Sequence, residues 1–381
     1  MTKTRRVIAT ALLALTLPTA VALPAAARQA PQFSIPKPTG QYAVGRDTLH
    51  LVDGKRRDPW VQSAKGRELM VSLYYPARSG GDTAEYMGAE EAGLMLKGLK
   101  LDAVYKPEHL TGVRVNARTG ARPVGGKHPL VLLSPGFTLN RATLTMLAEE
   151  LASKGYVVAL VDHAYESFGA AFPGDRTLTC VACDTVESAP TEEKSRELLG
   201  KVAVGRGADL SFVIDTLTRG RYGRLIDSGR VGAAGHSIGG NSASAVMAAD
   251  RRVRAGVNMD GTFFSQLPKS GLNGRPFLML GTRTLHAPGS VDTTWSKAWK
   301  RLDGWKRWLS VEGSGHFTFI DLPVLAGQAG ATDPEVPLSG KRSGEITTSY
   351  VGAFFDQHLR GEHRPLLTGP SAANPEVAFH Q

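Results

Sequence analysis

The sequence predicts an α/β protein with a doubly wound, mostly parallel sheet that carries helices on both faces. From residue 129 onward, short apolar runs alternate with segments of helical spacing. The clearest strand–helix–strand unit runs from Pro129 through Lys154 to Asp162, and such a unit implies a parallel sheet with a right-handed crossover. A Gly235-His-Ser-Ile-Gly239 turn joins a further strand to a further helix.

The chain of 381 residues divides into four predicted parts. The first has the basic start, the apolar segment and the small-residue cleavage site, Ala25-Ala-Ala27, of a secretory signal peptide. A membrane anchor is the competing interpretation, which Pro18 and Pro24 disfavour. The expected parts are a signal peptide at 1–27, a flexible lead-in at 28–40, one catalytic α/β domain at 41–360 and a C-terminal tail at 361–381.

The composition is that of a globular protein and disfavours a nucleic-acid-binding one. Apolar residues make up 42% of the chain, which is ample for a large core. The formal charge is +10, but the basic residues are scattered and are not interleaved with aromatic side chains, so we expect no nucleic-acid partner. A transient contact with anionic lipid surfaces is compatible with this charge. The sequence does not indicate the oligomeric state.

The segments before residue 129 are predicted to form one edge of the sheet. Apolar and polar residues alternate over 42–52 and 68–75, which favours an antiparallel pair. Pro76 and the glycines that follow end this pair. Residues 82–127 predict an excursion within the domain, with helical spacing over 90–101.

Buried parallel strands are predicted at 129–134 and 155–162, because both runs are continuously apolar. The segment between them, 140–154, is an amphipathic helix with its leucines on one face. A second excursion covers 163–190, and a long helix begins near Thr191. Further strands are predicted at 231–236, 254–260, 276–281 and 305–311, and further helices at 241–249, 293–302 and 346–359.

The chain has two cysteines, Cys180 and Cys183. Two thiols alone make a poor zinc site, and no thioredoxin-like context surrounds this C-x-x-C pattern. In an exported chain a local disulfide is favoured over free thiols.

Ser237 is the candidate nucleophile. It lies in a G-x-S-x-G pattern between a predicted strand and a predicted helix, the arrangement that exposes a serine hydroxyl at a strained turn. The helix start behind it directs backbone N–H groups toward developing negative charge. A chance match in a glycine-rich chain is the alternative.

A serine hydroxyl needs a base, and the base needs an acid that orients it. His316 follows the last predicted strand and lies at the same edge of the sheet as Ser237. His286 comes too early along the chain, and we expect the later histidines, His358, His363 and His380, to be surface residues. A structural loop histidine is the alternative for His316.

Two residues compete for the role of the acid. Asp260 ends a strand directly and precedes Gly261, whereas Asp292 lies in a polar loop where a helix cap would explain it. We therefore prefer Asp260. The expected oxyanion-hole donors are the backbone N–H groups of Ile238 and Phe137, the latter in the Ser134-Pro-Gly-Phe turn; a simple Pro-Gly turn is the alternative.

Several stretches carry a family resemblance, in the family's order: LMVSLYYPA, PLVLLSPGFTLNR, LAEELASKGYVVALVDH, GHSIGG, NMDG and GSGHFTF. With these stretches the chain resembles the platelet-activating factor acetylhydrolase-like esterases, the lipoprotein-associated phospholipase A2 type of α/β hydrolase. The resemblance implies the α/β-hydrolase fold and supports Asp260 as the acid, with Phe137 and Ile238 as donors. Pro135 departs from the histidine that family members often have there.

The predicted function is a secreted serine esterase acting on short-acyl phospholipid-like or other small lipid esters. The resemblance implies an activity like that of a 1-alkyl-2-acetylglycerophosphocholine esterase. An extracellular lipase or polyester hydrolase is the alternative within hydrolases, and a catalytically silent binding module is the alternative from another class. The mechanism calls for no metal and no organic cofactor.

Overall fold

The computed structural model describes residues 32–381. The predicted signal peptide, 1–27, therefore lies outside the described residues. The strands are β1 (Ala43–Asp53), β2 (Arg67–Ala77), β3 (Asp82–Thr83), β4 (Arg118–Thr119), β5 (His128–Ser134), β6 (Val157–His163), β7 (Ala170–Phe172), β8 (Arg176–Leu178), β9 (Ile226–His236), β10 (Val253–Met259), β11 (Phe277–Thr282), β12 (Lys306–Val311) and β13 (Val377–His380).

The helices cover both sides of the sheet. They are α1 (Ala89–Gly98), α2 (Pro107–Thr111), α3 (Thr145–Ser153), α4 (Val181–Glu187), α5 (Glu192–Arg219), α6 (Ile238–Ala249), α7 (Arg283–His286), α8 (Thr294–Arg301), α9 (Asp321–Gln328) and α10 (Gly340–Arg360). Short 3-10 turns add Arg141–Leu144, His316–Phe319 and Pro365–Leu367.

The main sheet within the described range has the strand order β13-β12-β11-β10-β9-β5-β6-β2-β1-β4-β3. The strands from β6 through β5, β9, β10 and β11 to β12 are parallel. β1 and β2 form the antiparallel pair expected from their alternating sequence. The fold class predicted from the sequence, an α/β-hydrolase fold, is confirmed.

The central strands are apolar on both faces because each face packs against helices. In β5, Leu130 and Leu132 join the core cluster that contains side chains of α5, α6 and α8. Val131 and Leu133 point the other way and join the cluster that contains side chains of α3 and α10. This alternation explains why the strand is continuously hydrophobic.

The expectation of a flexible lead-in at 28–40 is wrong where the structure describes it. Phe33 and Ile35 are each 3% exposed and belong to the larger core cluster. The Ile35 N–H donates to the Arg114 carbonyl oxygen at 2.8 Å. These apolar side chains are buried because the excursion at 82–127 supplies both backbone partners and packing.

The segment predicted to be a C-terminal tail, 361–381, ends in a strand of the main sheet. β13 adds an antiparallel strand to β12, with Trp308 opposite His380. Val377 is 2% exposed, and Phe379 packs against the larger core cluster. Pairing covers the edge of β12, which would otherwise present unpaired backbone groups.

The two excursions stay within the same body. Met95 and Leu96 of α1 are buried in the larger core cluster. The second excursion forms the β7–β8 hairpin and α4, and a disulfide joins Cys180 to Cys183 at the start of α4. Among residues 32–381, no helix is long and apolar enough to span a bilayer.

Candidate active site

Ser237 lies at the sharp turn between β9 and α6. Its backbone has φ 57° and ψ −127°, a left-handed conformation that is rare and strained for a residue with a side chain. A Cβ atom on Gly239 would overlap the carbonyl oxygens of Ser134 and Pro135. Glycine at this position therefore lets the start of α6 pack directly against the loop after β5, which brings that loop beside the nucleophile.

His316 contacts Ser237 and Asp260 at the same time. It begins the 3-10 turn that follows β12, and its side chain is 33% exposed. The Nε2 atom lies 3.1 Å from Ser237 Oγ, and Nδ1 lies 2.7 Å from Asp260 Oδ2. The three residues that the sequence pointed to therefore converge at the carboxyl edge of the sheet.

Asp260 follows β10 directly and is completely buried. Its Oδ1 atom accepts hydrogen bonds from the Thr282 N–H and from His286 Nδ1, both at 2.6 Å. Burial alone would raise the pKa of Asp260, but the charge of His286 and the hydrogen bonds from His286 and His316 lower it below its ordinary value. Asp260 is therefore a carboxylate that holds His316 with Nδ1–H as donor.

Asp292 does not contact His316. Its Oδ1 atom accepts from the Thr294 N–H at 2.8 Å, at the start of α8, and its Oδ2 atom accepts from Thr262 Oγ1 at 2.6 Å. The first of these contacts satisfies a backbone donor at the start of α8, which agrees with the capping role that the sequence offered as the alternative for Asp292. Burial opposes ionisation, but the hydrogen bonds from His286 and the threonines lower the pKa of Asp292 to about 2.

His286 is a site residue that the sequence argument set aside. The side chain lies between the two aspartates, with Nδ1 at 2.6 Å from Asp260 Oδ1 and Nε2 at 3.1 Å from Asp292 Oδ2. Burial would lower the pKa of His286, but the charge and hydrogen bond of Asp260, and then those of Asp292, raise it to about 9. Its position directly after β11, at the same sheet edge as Ser237, is the feature of the sequence that could have identified it as a site residue.

His236, the variable residue of the G-x-S-x-G pattern, holds the backbone of His316. The ring is completely buried, and Nε2 donates to the His316 carbonyl oxygen at 2.7 Å. Burial, together with the neighbouring His316, lowers the pKa of His236 to about 3. The ring is therefore neutral, with its proton on Nε2.

The expected oxyanion donors border the nucleophile. Ile238 is the first residue of α6, and Phe137 packs against the same small apolar cluster as Ile238. The loop of Phe137 is fixed by its neighbour, since the Thr138 N–H donates to the Glu166 carbonyl oxygen at 3.0 Å. Within residues 32–381, neither the Phe137 nor the Ile238 N–H donates to a protein acceptor, so both remain able to bind an oxyanion.

Half-buried aromatic side chains surround this position. Trp60, Phe137 and Phe264 pack against the cluster that contains Ile238, and the ring of Phe317 lies tilted beside His316 at a centroid distance of 5.7 Å. In the part of the chain that the structure describes, no group of three or more His, Cys, Asp or Glu side chains is arranged to hold a metal ion.

The chain is similar to known esterases over most of its length. A solved structure, a ferulic acid esterase from Streptomyces cinnamoneus, is 43% identical, superimposes with a TM-score of 0.80, and covers 92% of this chain and 100% of its own. A probable 1-alkyl-2-acetylglycerophosphocholine esterase from Arthroderma benhamiae is 27% identical over 91% of this chain and 94% of its own length.

A platelet-activating factor acetylhydrolase from Cavia porcellus is 23% identical over 86% of this chain and 78% of its own length. The family model of platelet-activating factor acetylhydrolase, isoform II, matches residues 27–177. By these matches the chain is similar to the platelet-activating factor acetylhydrolases, and the ferulic acid esterase shares its α/β-hydrolase fold. The protein is a carboxylic ester hydrolase.

The loop after β5, which contains Pro135, is firmly held. Arg206 of α5 donates from Nη1 to the Pro135 carbonyl oxygen at 2.6 Å and from Nε to Glu166 Oε2 at 2.6 Å. Both charged side chains are buried, Arg206 at 1% exposure. The sequence argument missed this network, because its members lie on separate elements with ordinary spacing.

The same network contains a second Ser–His–Asp arrangement. His163 lies 3.0 Å from Ser134 Oγ through Nε2 and 2.7 Å from Asp209 Oδ2 through Nδ1. All three side chains are buried, and burial, with the nearby charge of Arg206, lowers the pKa of His163 to about 4. Ser134 is completely buried, so we assign this arrangement the role of holding the loop in place.

Proposed function

We propose that the protein is a secreted serine esterase that hydrolyses carboxylic esters through an acyl-enzyme on Ser237. The observation that carries the proposal is the continuous hydrogen-bond chain from Ser237 Oγ through the ring of His316 to Asp260, with distances of 3.1 and 2.7 Å. Such a chain can activate a serine hydroxyl and keep the imidazole in the required tautomer.

In the acylation step, Ser237 Oγ attacks the ester carbonyl carbon while His316 Nε2 takes the hydroxyl proton. The carbonyl oxygen becomes negatively charged, and the N–H groups of Phe137 and Ile238 donate to it. Removal of one such donor typically slows catalysis by about 100- to 1000-fold. The tetrahedral intermediate then collapses: the bond to the alcohol breaks, and His316 returns its proton to the leaving oxygen.

In the deacylation step, His316 Nε2 takes a proton from water, and the resulting hydroxyl attacks the acyl carbon of the ester on Ser237. The bond to Oγ then breaks, the carboxylic acid leaves, and His316 gives its proton back to Oγ. Asp260 stays ionised throughout and stabilises the imidazolium that forms in each step.

The first substrate class is small lipid esters with a short acyl chain, including acetylated phospholipid-like molecules. The relatives named as acetylhydrolases and as a probable acetylglycerophosphocholine esterase support this class. The formal charge is +10 for the full chain and +7 without Lys3, Arg5 and Arg6 of the signal-like segment, and it suits a transient contact with an anionic lipid surface.

The second substrate class is esters of aromatic acids. The ferulic acid esterase at 43% identity favours it, and so do the half-buried rings of Trp60, Phe137 and Phe264 beside Ile238. Aromatic rings stack on one another with modest but specific gains, on the order of 0.5–1.5 kcal/mol per pair.

The test compares the purified enzyme with Ser237→Ala on four substrates: a 2-acetyl phospholipid, a feruloyl ester, a long-chain triglyceride and a polyester film. We expect the substitution to lower kcat by on the order of 10⁵- to 10⁶-fold. Ser188→Ala, at an exposed serine after α4, is the control and should keep full activity. Full activity of Ser237→Ala would refute the mechanism, and the preferred ester decides between the two classes.

Export is the remaining part of the proposal. The signal-like segment at 1–27 supports it, as does the disulfide between Cys180 and Cys183, since such bonds persist in oxidising compartments. N-terminal sequencing of protein from the culture medium should begin at Arg28. Retention of the uncleaved chain in cells would contradict export.

A further inference from the structure

His286 is enclosed between two carboxylates. The side chain is 3% exposed, and each ring nitrogen faces one aspartate: Nδ1 faces Asp260 and Nε2 faces Asp292. Thr262 Oγ1 and the Thr294 N–H, the other polar groups on Asp292, are uncharged. The His316 ring is the remaining titratable group of this cluster, on the far side of Asp260.

The donors and acceptors of this cluster fix its protonation. Asp260 accepts from the Thr282 N–H, from His316 Nδ1 and from His286 Nδ1, so each of its oxygens acts as an acceptor. Both oxygens of Asp292 are acceptors as well: Oδ1 accepts from the Thr294 N–H, and Oδ2 accepts from Thr262 Oγ1 and faces His286 Nε2. An ionised carboxylate can only accept, and therefore both nitrogens of His286 must carry a proton. The raised pKa of His286 agrees with this assignment.

The ring of His286 has little freedom to turn away. It stacks on Trp295 of α8 with a centroid distance of 4.4 Å and an interplanar angle of 19°. Its own carbonyl oxygen accepts from Trp308 Nε1 at 2.6 Å. Two tryptophans from different elements therefore hold both the side chain and the backbone of this residue.

We propose that His286 is a positioning residue for the esterase reaction, held as an imidazolium between Asp260 and Asp292. Its Nδ1–H fixes the Oδ1 atom of Asp260, so that Oδ2 points at His316. Its positive charge offsets part of the negative charge that Asp260 presents to His316. The proposal rests on the function proposed above, because it assigns His286 a role in the reaction of Ser237.

The charge has a consequence for the pH dependence. The reaction needs a neutral His316 that can accept the proton of Ser237. Without the positive charge of His286, the carboxylate of Asp260 favours the protonated form of His316 more strongly. The acid limb of the kcat/KM profile should therefore move to higher pH in any variant that lacks the imidazolium.

The first experiment reads the protonation of His286 without catalysis. Long-range ¹H–¹⁵N spectra of histidine-labelled protein distinguish an imidazolium from either neutral tautomer. We expect His286, assigned by its loss in His286→Asn, to be an imidazolium at pH 7 and to titrate near the pKa of about 9. The spectra are recorded on the wild type and on Ser237→Ala. A neutral ring at pH 7 overturns the proposal.

The second experiment separates position from charge. The amide nitrogen of His286→Asn can occupy the place of Nδ1 and keep the bond to Asp260, whereas the longer side chain of His286→Gln reaches the place of Nε2. We expect His286→Asn to keep kcat within about tenfold, and His286→Gln and His286→Ala to lose about 10- to 100-fold with KM unchanged. All three should shift the acid limb upward.

His358→Asn is the matched control, because His358 packs between Trp305 and Phe354 on the opposite side of the sheet. It should change neither kcat nor the pH profile. A merely structural role for His286 predicts equal losses for its three variants and an unmoved acid limb, which would overturn the proposal. Full activity of Ser237→Ala would instead refute the serine mechanism and leave the spectra of His286 as they are.

Discussion

Ser237 and Asp260 share an unusual backbone conformation, each with φ 57°. Neither residue is glycine, and a side chain in this region is strained by on the order of 1–3 kcal/mol. The two turns also contact each other, because a Cβ atom on Gly261 would overlap the Ser237 carbonyl oxygen. These two strained residues thus lie in adjoining turns, both of which aim a side chain at His316.

Replacement of the two candidate acids should have very different effects. In Asp260→Asn, the amide oxygen will face the donors of Thr282 and His286, so the NH₂ group will face His316 Nδ1. The His316 proton must then move to Nε2, the wrong position for accepting the Ser237 proton. We expect kcat to fall by about 10⁴-fold.

Asp292→Asn alters contacts with the start of α8, with Thr262 and with the far side of His286, none of which reaches His316. We expect its loss in kcat/KM to stay within about tenfold, which corresponds to about 1.4 kcal/mol. Steady-state kinetics of both variants at one pH make the comparison, with circular dichroism to check the fold. Equal losses in the two variants would argue against Asp260 as the acid.

At the scale of elements, α5 connects the buried charges to the loop that carries Phe137. Arg206 on this helix reaches the Pro135 carbonyl oxygen and Glu166, and Glu166 also pairs with Arg67 at 2.6 Å. Burial would raise the pKa of Glu166, but the charges of Arg67 and Arg206 lower it. The loop is therefore positioned by ionised groups that lie beneath it, out of reach of the substrate.

Loss of the arginine should affect both stability and turnover. Arg206→Met leaves the Glu166 carboxylate with one partner fewer, and breaking such a buried pair costs about 3–5 kcal/mol of the free energy of unfolding. The same change frees the Pro135 carbonyl, so we expect a lower kcat as the Phe137 donor moves. Urea unfolding and kinetics measure the two effects.

Arg219→Met is the control on the same helix. Its side chain is 80% exposed, and Nη2 lies 3.8 Å from Asp215 Oδ2. An exposed pair of this kind contributes little to the free energy of unfolding. This variant should match the wild type in both measurements. A stable and fully active Arg206→Met would show that the loop does not depend on the network.

The strands and helices that could be predicted from the sequence are those with a clear local pattern of apolar residues. The apolar runs of β5 and β6 and the leucine spacing of α3 were enough to place them, and the order of Ser237, Asp260 and His316 followed from the strands that precede them. The contacts of His286 could not be predicted, because they depend on how far the loop after β11 folds back. Arg206 was missed for a similar reason: its partners lie 40 and 71 residues away along the chain.

At the scale of the whole molecule, both ends of the described chain complete one core. Phe33 and Ile35 from the N-terminal side, and Leu367 and Val377 from the C-terminal side, belong to the same hydrophobic cluster. Their sequence neighbourhoods are rich in proline, glycine and polar residues, which is why both ends were predicted to be peripheral. Short segments of this kind gain order from tertiary packing rather than from local propensity.

The two ends can be tested by shortening the chain to the bounds that the sequence suggested. A protein of residues 41–360 lacks all four of these side chains, and each buried side chain of this size contributes about 1.5–3 kcal/mol. Because a domain is stable by only about 5–15 kcal/mol, we expect this shortened protein to unfold at much lower urea concentration than residues 28–381, or to aggregate through the bare edge of β12.

Phe33→Ala in the longer protein isolates one contact and should cost about 3–5 kcal/mol of the free energy of unfolding. Val204→Ala is the control, because Val204 is 54% exposed, and it should leave the urea midpoint unchanged. If residues 41–360 unfolded at the same midpoint as residues 28–381, the packing of both ends would contribute nothing to the stability of the fold.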